Sequence, residues 1–150
     1  MGVEKARAFL RRHRQVALDT CVFVYQLEVN PTYCNLTEEL FGWLQTGSAS
    51  AITSTITMTE LLVPPYRQPD RQRVDDCFAL LTSYPNLQWI APSLAIADAA
   101  AAVRADYQLK TADAIQVATA LFSDTPALIT NDIAFKRVTS LEVLVLSDLL

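Results

Sequence analysis

A three-layer α/β/α sandwich around a central, mostly parallel sheet of about five strands is the fold class that this sequence predicts. Three observations carry the prediction. Short β-compatible runs alternate along the chain with segments of helical periodicity. The strand candidates are nearly continuous in apolar residues, which marks strands covered on both faces. The intervals between them are long enough for the crossover helices that parallel strands need. The chain of 150 residues, 51% of them hydrophobic, suits one domain over 1–150 with a sizeable core. There is no internal repeat, low-complexity tract or linker.

The elements follow in order. Residues 3–14 predict a helix, with Val3, Ala6, Phe9 and Leu10 on one face and Arg7, Arg11 and Arg14 on another; residues 1–14 thus make an extra N-terminal helix. "QVALD" (15–19) predicts a buried strand, and a helix over 20–28 opens at Thr20. "NPTYC" makes a turn. Tyr33, Leu36, Leu40, Trp43 and Leu44 recur at helical spacing over 33–46, and Gly47 stands where a C-cap belongs. "SASAITST" (48–55) is a second strand. Thr55 or Thr57 caps a helix running to Val63, where Pro64 and Pro65 end it. Residues 66–72 read as an exposed loop, and Asp70 caps a helix over 71–83 that turns Val74, Phe78 and Leu81 inward. "QWIAP" (88–92) is the third strand, and Ser93 caps an alanine-rich helix over 94–107. Thr111 opens "ADAIQVATALFSD". "PALIT" (126–130) is the fourth strand, and the fifth lies near 142–146.

Composition excludes several classes of function. The net charge of −4 has the wrong sign for holding nucleic acid by bulk electrostatics, although clustered carboxylates neutralised by bound metal still suit a nuclease. Cys21, Cys34 and Cys77 form no C-x-x-C pair, so neither a disulfide framework nor a zinc site is expected, and a reducing cytoplasm fits. The single His13 excludes a multi-histidine metal site. "MGVEKARAFLRRHRQ" lacks the apolar core of a signal peptide, and no apolar stretch is long enough to span a membrane.

The chemistry lies in four misplaced acids. In a parallel sheet, ligands bind beyond the carboxyl ends of the strands. Asp19 interrupts two apolar runs at the end of the first strand, and Asp132 follows the fourth strand in "LITND". Glu60 lies among Ile56, Met58, Leu61 and Leu62. Asp113 lies in the first turn of a mostly apolar helix. An unpaired charge in such a setting costs several kcal/mol or shifts its pKa. Singly, each acid reads as a helix cap or the partner of a basic residue. Together they can converge on Mg²⁺ or Mn²⁺, whose hard oxygen ligands suit metal-assisted phosphodiester cleavage. Thr20 then bonds the loop or caps the next helix.

The stretches "ALDTCVFVY" (17–25), "ITMTELLVP" (56–64), "LKTADAIQVATAL" (109–121) and "LITNDIAFKRV" (128–138) resemble PIN-domain proteins, in particular the toxin ribonucleases of VapBC toxin–antitoxin systems. The resemblance runs in family order from about residue 16 to near the end. It implies an α/β/α sandwich and a Mg²⁺- or Mn²⁺-dependent endoribonuclease. The implied catalytic acids are Asp19, Glu60, Asp113 and Asp132, with Asp19, Asp113 and Asp132 as metal ligands and Thr20, Thr130 and Asn131 in support. It further implies an RNA substrate, products with 5′-phosphate and 3′-hydroxyl ends, a homodimer and a small inhibitory antitoxin. This chain departs from the pattern at Cys21, where the family often has Asn or Ser, and in its extra helix.

Other readings stand beside this one. A phosphotransferase of the haloacid dehalogenase type needs a second Asp at position 21, which is Cys. A receiver-like signalling domain wants paired acids near the first strand and a Lys after the last, and has neither here. A PIN-fold binding module that pairs with a partner without cutting is the remaining alternative. Arg67, Arg71, Arg73, Lys136 and Arg137 are either phosphate contacts or solvated charges, and the "RRHR" run, His13 included, reads as solvent-facing.

Overall fold

The computed structural model describes residues 1–150. Seven helices and five strands follow one another as α1 (Gly2–His13), β1 (Gln15–Leu18), α2 (Thr20–Leu27), α3 (Cys34–Thr46), β2 (Ser50–Ser54), α4 (Ile56–Arg67), α5 (Arg71–Ser83), β3 (Leu87–Ile90), α6 (Leu94–Tyr107), α7 (Thr111–Phe122), β4 (Ala127–Thr130) and β5 (Glu142–Val145). Short 3₁₀ helices cover Ile133–Arg137 and Leu146–Leu149. The sheet order is β3-β2-β1-β4-β5, and every pairing is parallel. The expected α/β/α fold with about five strands is the one observed.

Continuous apolar strands work because successive side chains point to opposite faces, and both faces are covered. Val16, Leu18, Ala51 and Ile129 face a core built with α1, α2 and α3. Ala17, Ile52 and Leu128 face a second core built with α6 and α7. Small residues on those two helices, among them Ala100, Ala114 and Ala118, let them pack closely against each other and the sheet.

Chain order 3-2-1-4-5 has one further consequence. From β1 the chain builds outward to β2 and β3 on one side, and β4 and β5 fill the other. The crevice between the carboxyl ends of β1 and β4 is therefore the topological switch point, where open parallel sheets bind ligands. The chain leaves β1 through Asp19 and β4 through Asn131 and Asp132.

Several local expectations are corrected. Pro64 and Pro65 do not end α4, which continues to Arg67. Neither proline can donate to the carbonyl one turn back, on Glu60 or Leu61, but the helix resumes with Gln68 N–H donating to Pro64 O. The connecting loop shrinks accordingly to residues 68–70. Neither Thr55 nor Thr57 caps α4 through its side chain; Ser54 Oγ accepts the Ile56 N–H. As expected, Thr111 opens α7, with Lys110 at the N-cap position, and its hydroxyl accepts from Arg104. Phe78, expected inward, is half exposed while Val74 and Leu81 are buried. Gly47 does take the left-handed C-cap of α3, with φ of 73°.

The extra helix is docked, not appended. Phe9 and Leu10 are buried against the first core. Arg7 pairs with Glu39 of α3, and Arg12 pairs with Glu142 of β5. His13 is not solvent-facing as expected: its side chain is only 15% exposed, lies 4.8 Å from the Phe9 ring and meets Glu142 Oε2 at 2.6 Å. At the other end, a side chain at Gly2 would strike the Leu149 backbone, so the two ends of the chain meet. No helix is long and apolar enough to cross a membrane.

Because Leu10 fills a closed part of the core, Leu10→Ala should cost about 3 kcal/mol in urea unfolding. A loss below about 1 kcal/mol would show that α1 is a loose addition and not a layer of the fold.

Candidate metal centre

Asp19 is the fixed point of the site. It follows β1 and is the N-cap of α2, its Oδ1 accepting the Thr20 N–H at 2.8 Å. Its own N–H donates to Ile129 O, which extends the β1–β4 ladder by one bond. Its Oδ2 accepts from Thr130 Oγ1 at 2.7 Å. Thr130 Oγ1 in turn accepts the Asp132 N–H at 3.0 Å, so one buried hydroxyl links the first acid to the backbone of the fourth. Asp132 caps the 3₁₀ helix by accepting the Ala134 N–H at 2.9 Å, and its side chain is exposed.

Glu60 sits on the exposed side of α4 and accepts from Thr20 Oγ1 at 2.7 Å. Thr20 thus serves two acids, Asp19 through its backbone and Glu60 through its hydroxyl. Asp113 is half-buried in the first turn of α7. Asn131 has a different part. It donates to the Tyr25 hydroxyl at 2.9 Å and accepts the Ser147 N–H at 2.8 Å, bracing the loop after β4 against α2 and the C-terminal 3₁₀ helix.

Electrostatics tie the acids together. Asp19 is 8% exposed, and burial pushes its carboxyl up from 3.8 to about 6. The hydrogen bonds from Thr130 and Thr20 pull it back, and Asp113 and Glu60 add repulsion. Asp113 is raised too, by burial first and then by Asp132 and Glu60, with Lys110 opposing. None of the four acids takes part in an ion pair. Burial pushes the Cys21 thiol up to about 12, so it is an inert neighbour.

The donor chemistry fits a hard divalent cation. Every candidate ligand is an oxygen, and no Arg or Lys is in an ion pair with any of the four acids. No three acidic, Cys or His side chains are drawn together into a ready-made cage. Mg²⁺ does not require one, since it keeps several waters and binds through one or two carboxylates. The basic residues considered as phosphate contacts are partly committed elsewhere. Lys136 pairs with Asp148, Arg71 pairs with Asp75, and Arg137 reaches toward the Tyr107 and Gln108 carbonyls.

Sequence reasoning missed a buried polar cluster beneath the acids. Thr53, Ser54, Thr57 and Gln116 are all buried and joined by hydrogen bonds. The available signal was Gln116 itself, the one amide among the mostly apolar buried residues of α7.

Comparison with known proteins agrees with the fold. The family model of the PIN domain matches residues 16–141. No curated protein matches the sequence. Among solved structures, a toxin–antitoxin complex from Klebsiella pneumoniae contains a chain 23% identical, with a TM-score of 0.64, covering 87% of this chain and 97% of that one. VapBC2 from Rickettsia felis, bound to a DNA fragment from its promoter, matches at 20% identity and TM-score 0.66, with 87% and 97% covered. DNA-bound VapBC from Salmonella typhimurium matches at 17% and 0.68, with 88% and 98% covered. The neighbours are thus matched almost end to end, and the family match begins after α1.

Asp19 holds a proton more readily in the folded chain than in the unfolded one. Stability therefore falls as pH rises from about 4 to about 6, by an amount on the order of 2–3 kcal/mol that persists above pH 6. Urea unfolding in EDTA should show Asp19→Asn gaining on the wild type by about 2 kcal/mol between pH 4.5 and pH 8. Parallel profiles for the two proteins would contradict the buried, unpaired carboxylate.

Proposed function

The chain belongs to the PIN-domain family, and on that premise we propose that it is a Mg²⁺- or Mn²⁺-dependent endoribonuclease, the toxin of a toxin–antitoxin pair. PIN domains are typically nucleases that use a divalent metal. The observation that carries the reading is Asp19, a carboxylate almost out of water at the switch point, with Asp113 and Glu60 adding repulsion and no Arg or Lys in an ion pair with any of the four acids.

In this reading Asp19, Asp113 and Asp132 hold the ion, and Glu60 completes the acidic set. The ion, when bound, lowers the pKa of a coordinated water and offsets charge developing on the scissile phosphate. The chain supplies the rest. Thr130 and the Thr20 N–H hold both Asp19 oxygens in place, so the carboxylate is pre-aimed before a ligand arrives. Thr20 Oγ1 does the same for Glu60. The Ala134 N–H fixes Asp132 from behind. Asn131 keeps the loop that carries Asp132 from drifting. No side-chain nucleophile is required, which agrees with an inert Cys21 and with His13 standing beside Glu142 instead of at this edge.

The partners follow from the same premise. The structural neighbours come from toxin–antitoxin complexes, which supports a small antitoxin for this chain. A homodimer is consistent with the half-exposed apolar residues Tyr66, Phe78 and Leu80 on α4 and α5. Three free cysteines suit a cytoplasmic setting.

Purified protein, free of any partner, should cut a mixed structured-RNA substrate with Mn²⁺ or Mg²⁺ and not with EDTA. Asp113→Asn should lower the rate by roughly 10²-fold or more with an unchanged circular dichroism spectrum. Absence of both cutting and metal binding in the wild type would overturn the proposal in favour of a binding module.

A further inference from the structure

Beneath the acidic edge, one amide joins the two helices that carry Glu60 and Asp113. Gln116 is 3% exposed on α7. Its Nε2 donates to Thr57 Oγ1 of α4 at 2.6 Å, and its Oε1 accepts the N–H of Ser54, the last residue of β2, at 3.3 Å. The amide's orientation is not free. A backbone N–H can only donate, so Oε1 must face Ser54 and Nε2 must face Thr57.

The hydroxyl protons can be traced the same way. Thr53 Oγ1 donates to the Leu18 carbonyl at 2.9 Å, so the 2.8 Å contact between Thr57 and Thr53 takes its proton from Thr57. Thr57 then accepts from Gln116. The relay runs Gln116 to Thr57 to Thr53 to the end of β1, next to Asp19. Thr57 also stands 3.2 Å from Thr20 Oγ1, the group that holds Glu60. No buried side-chain polar atom lacks a partner, so every member of the relay is bonded at least once.

Position along the helices gives this relay a use. Asp113 lies three residues before Gln116 on α7, and Glu60 lies three residues after Thr57 on α4. Residues three apart share a helix face, so each acid stands one turn from one end of the same hydrogen bond. Glu60 and Asp113 repel each other, and the bond from Gln116 to Thr57 ties α7 to α4 one turn away from each of them. We infer that Gln116 and Thr57 are positioning residues, a buried cross-brace that sets the spacing of Asp113 and Glu60 and so tunes the affinity of the edge for a divalent cation. The inference rests on the metal-centre reading proposed above.

The test is Mn²⁺ binding, followed by electron paramagnetic resonance of free and bound ion, with thermal unfolding in EDTA run beside it. Thr57→Val keeps the shape and removes the hydroxyl. Thr57→Ser keeps the hydroxyl, and Gln116→Met keeps the length without the amide. Thr57→Val and Gln116→Met should each weaken Mn²⁺ binding about tenfold. Thr57→Ser should bind as the wild type does. The double variant should lose no more than either single one, because both break one hydrogen bond. Wild-type affinity in both Thr57→Val and Gln116→Met, with only unfolding affected, would overturn the inference and leave the metal centre standing. No Mn²⁺ binding by the wild type would overturn both. If a variant proves unfolded in EDTA, the comparison of Thr57→Ser with the remaining one decides.

Discussion

A carboxylate held nearly out of water at the end of the central strand is the constraint to which the surroundings of the sheet edge conform. Asp19 cannot leave, because its backbone continues the ladder between β1 and β4 and its side chain starts α2. It cannot be neutralised by a basic residue, because none pairs with it. The chain provides only neutral donors, the Thr20 N–H, the Thr130 hydroxyl and, at 3.9 Å, the Cys21 thiol. They orient the charge without cancelling it. Asp113 and Glu60 add repulsion to Asp19, and Asp132 adds repulsion to Asp113, which is the opposite of what selection for stability alone would produce. In the proposed reading, a bound divalent cation would balance this charge and make the destabilising edge a site.

Most of the fold was legible because strand order and burial leave strong marks on sequence. Parallel strands buried on both faces must be apolar throughout, and "QVAL", "SAITS" and "ALIT" are close to that. Helix caps such as Ser93 and Asp70 were readable from their chemistry, and both accept the expected backbone N–H. The errors have physical reasons. Pro64 and Pro65 look like a stop, yet two lost donors do not break a helix when packing on α2 and α5 holds it and the next turn closes. Phe78 looks inward by periodicity, but α5 buries only a narrow stripe around Val74 and Leu81. His13 sits in a basic run that reads as solvated, and only the return of the chain to Glu142, 129 residues later, covers it.

The candidate site was legible in part for a different reason. Acids in apolar stretches are conspicuous singly, and parallel topology says which ends of the strands they share. Their supports were less visible. Thr20 and Thr130 stand beside acids and could be named. Thr57 and Gln116 belong to separate helices 59 residues apart in sequence. Only the packing of α7 across the end of β2 makes them partners. Each taken alone is an ordinary polar residue at an unremarkable position.

The central claim, that the carboxylate edge between β1 and β4 holds a divalent cation, is tested most directly by crystals of the protein grown or soaked with Mn²⁺ and measured for anomalous scattering. The account predicts a peak within coordination distance of Asp19, with oxygen ligands and ordered water completing the shell. An edge without a peak in crystals that bind Mn²⁺ elsewhere, or an Asp19 side chain turned away from the ion, would contradict it.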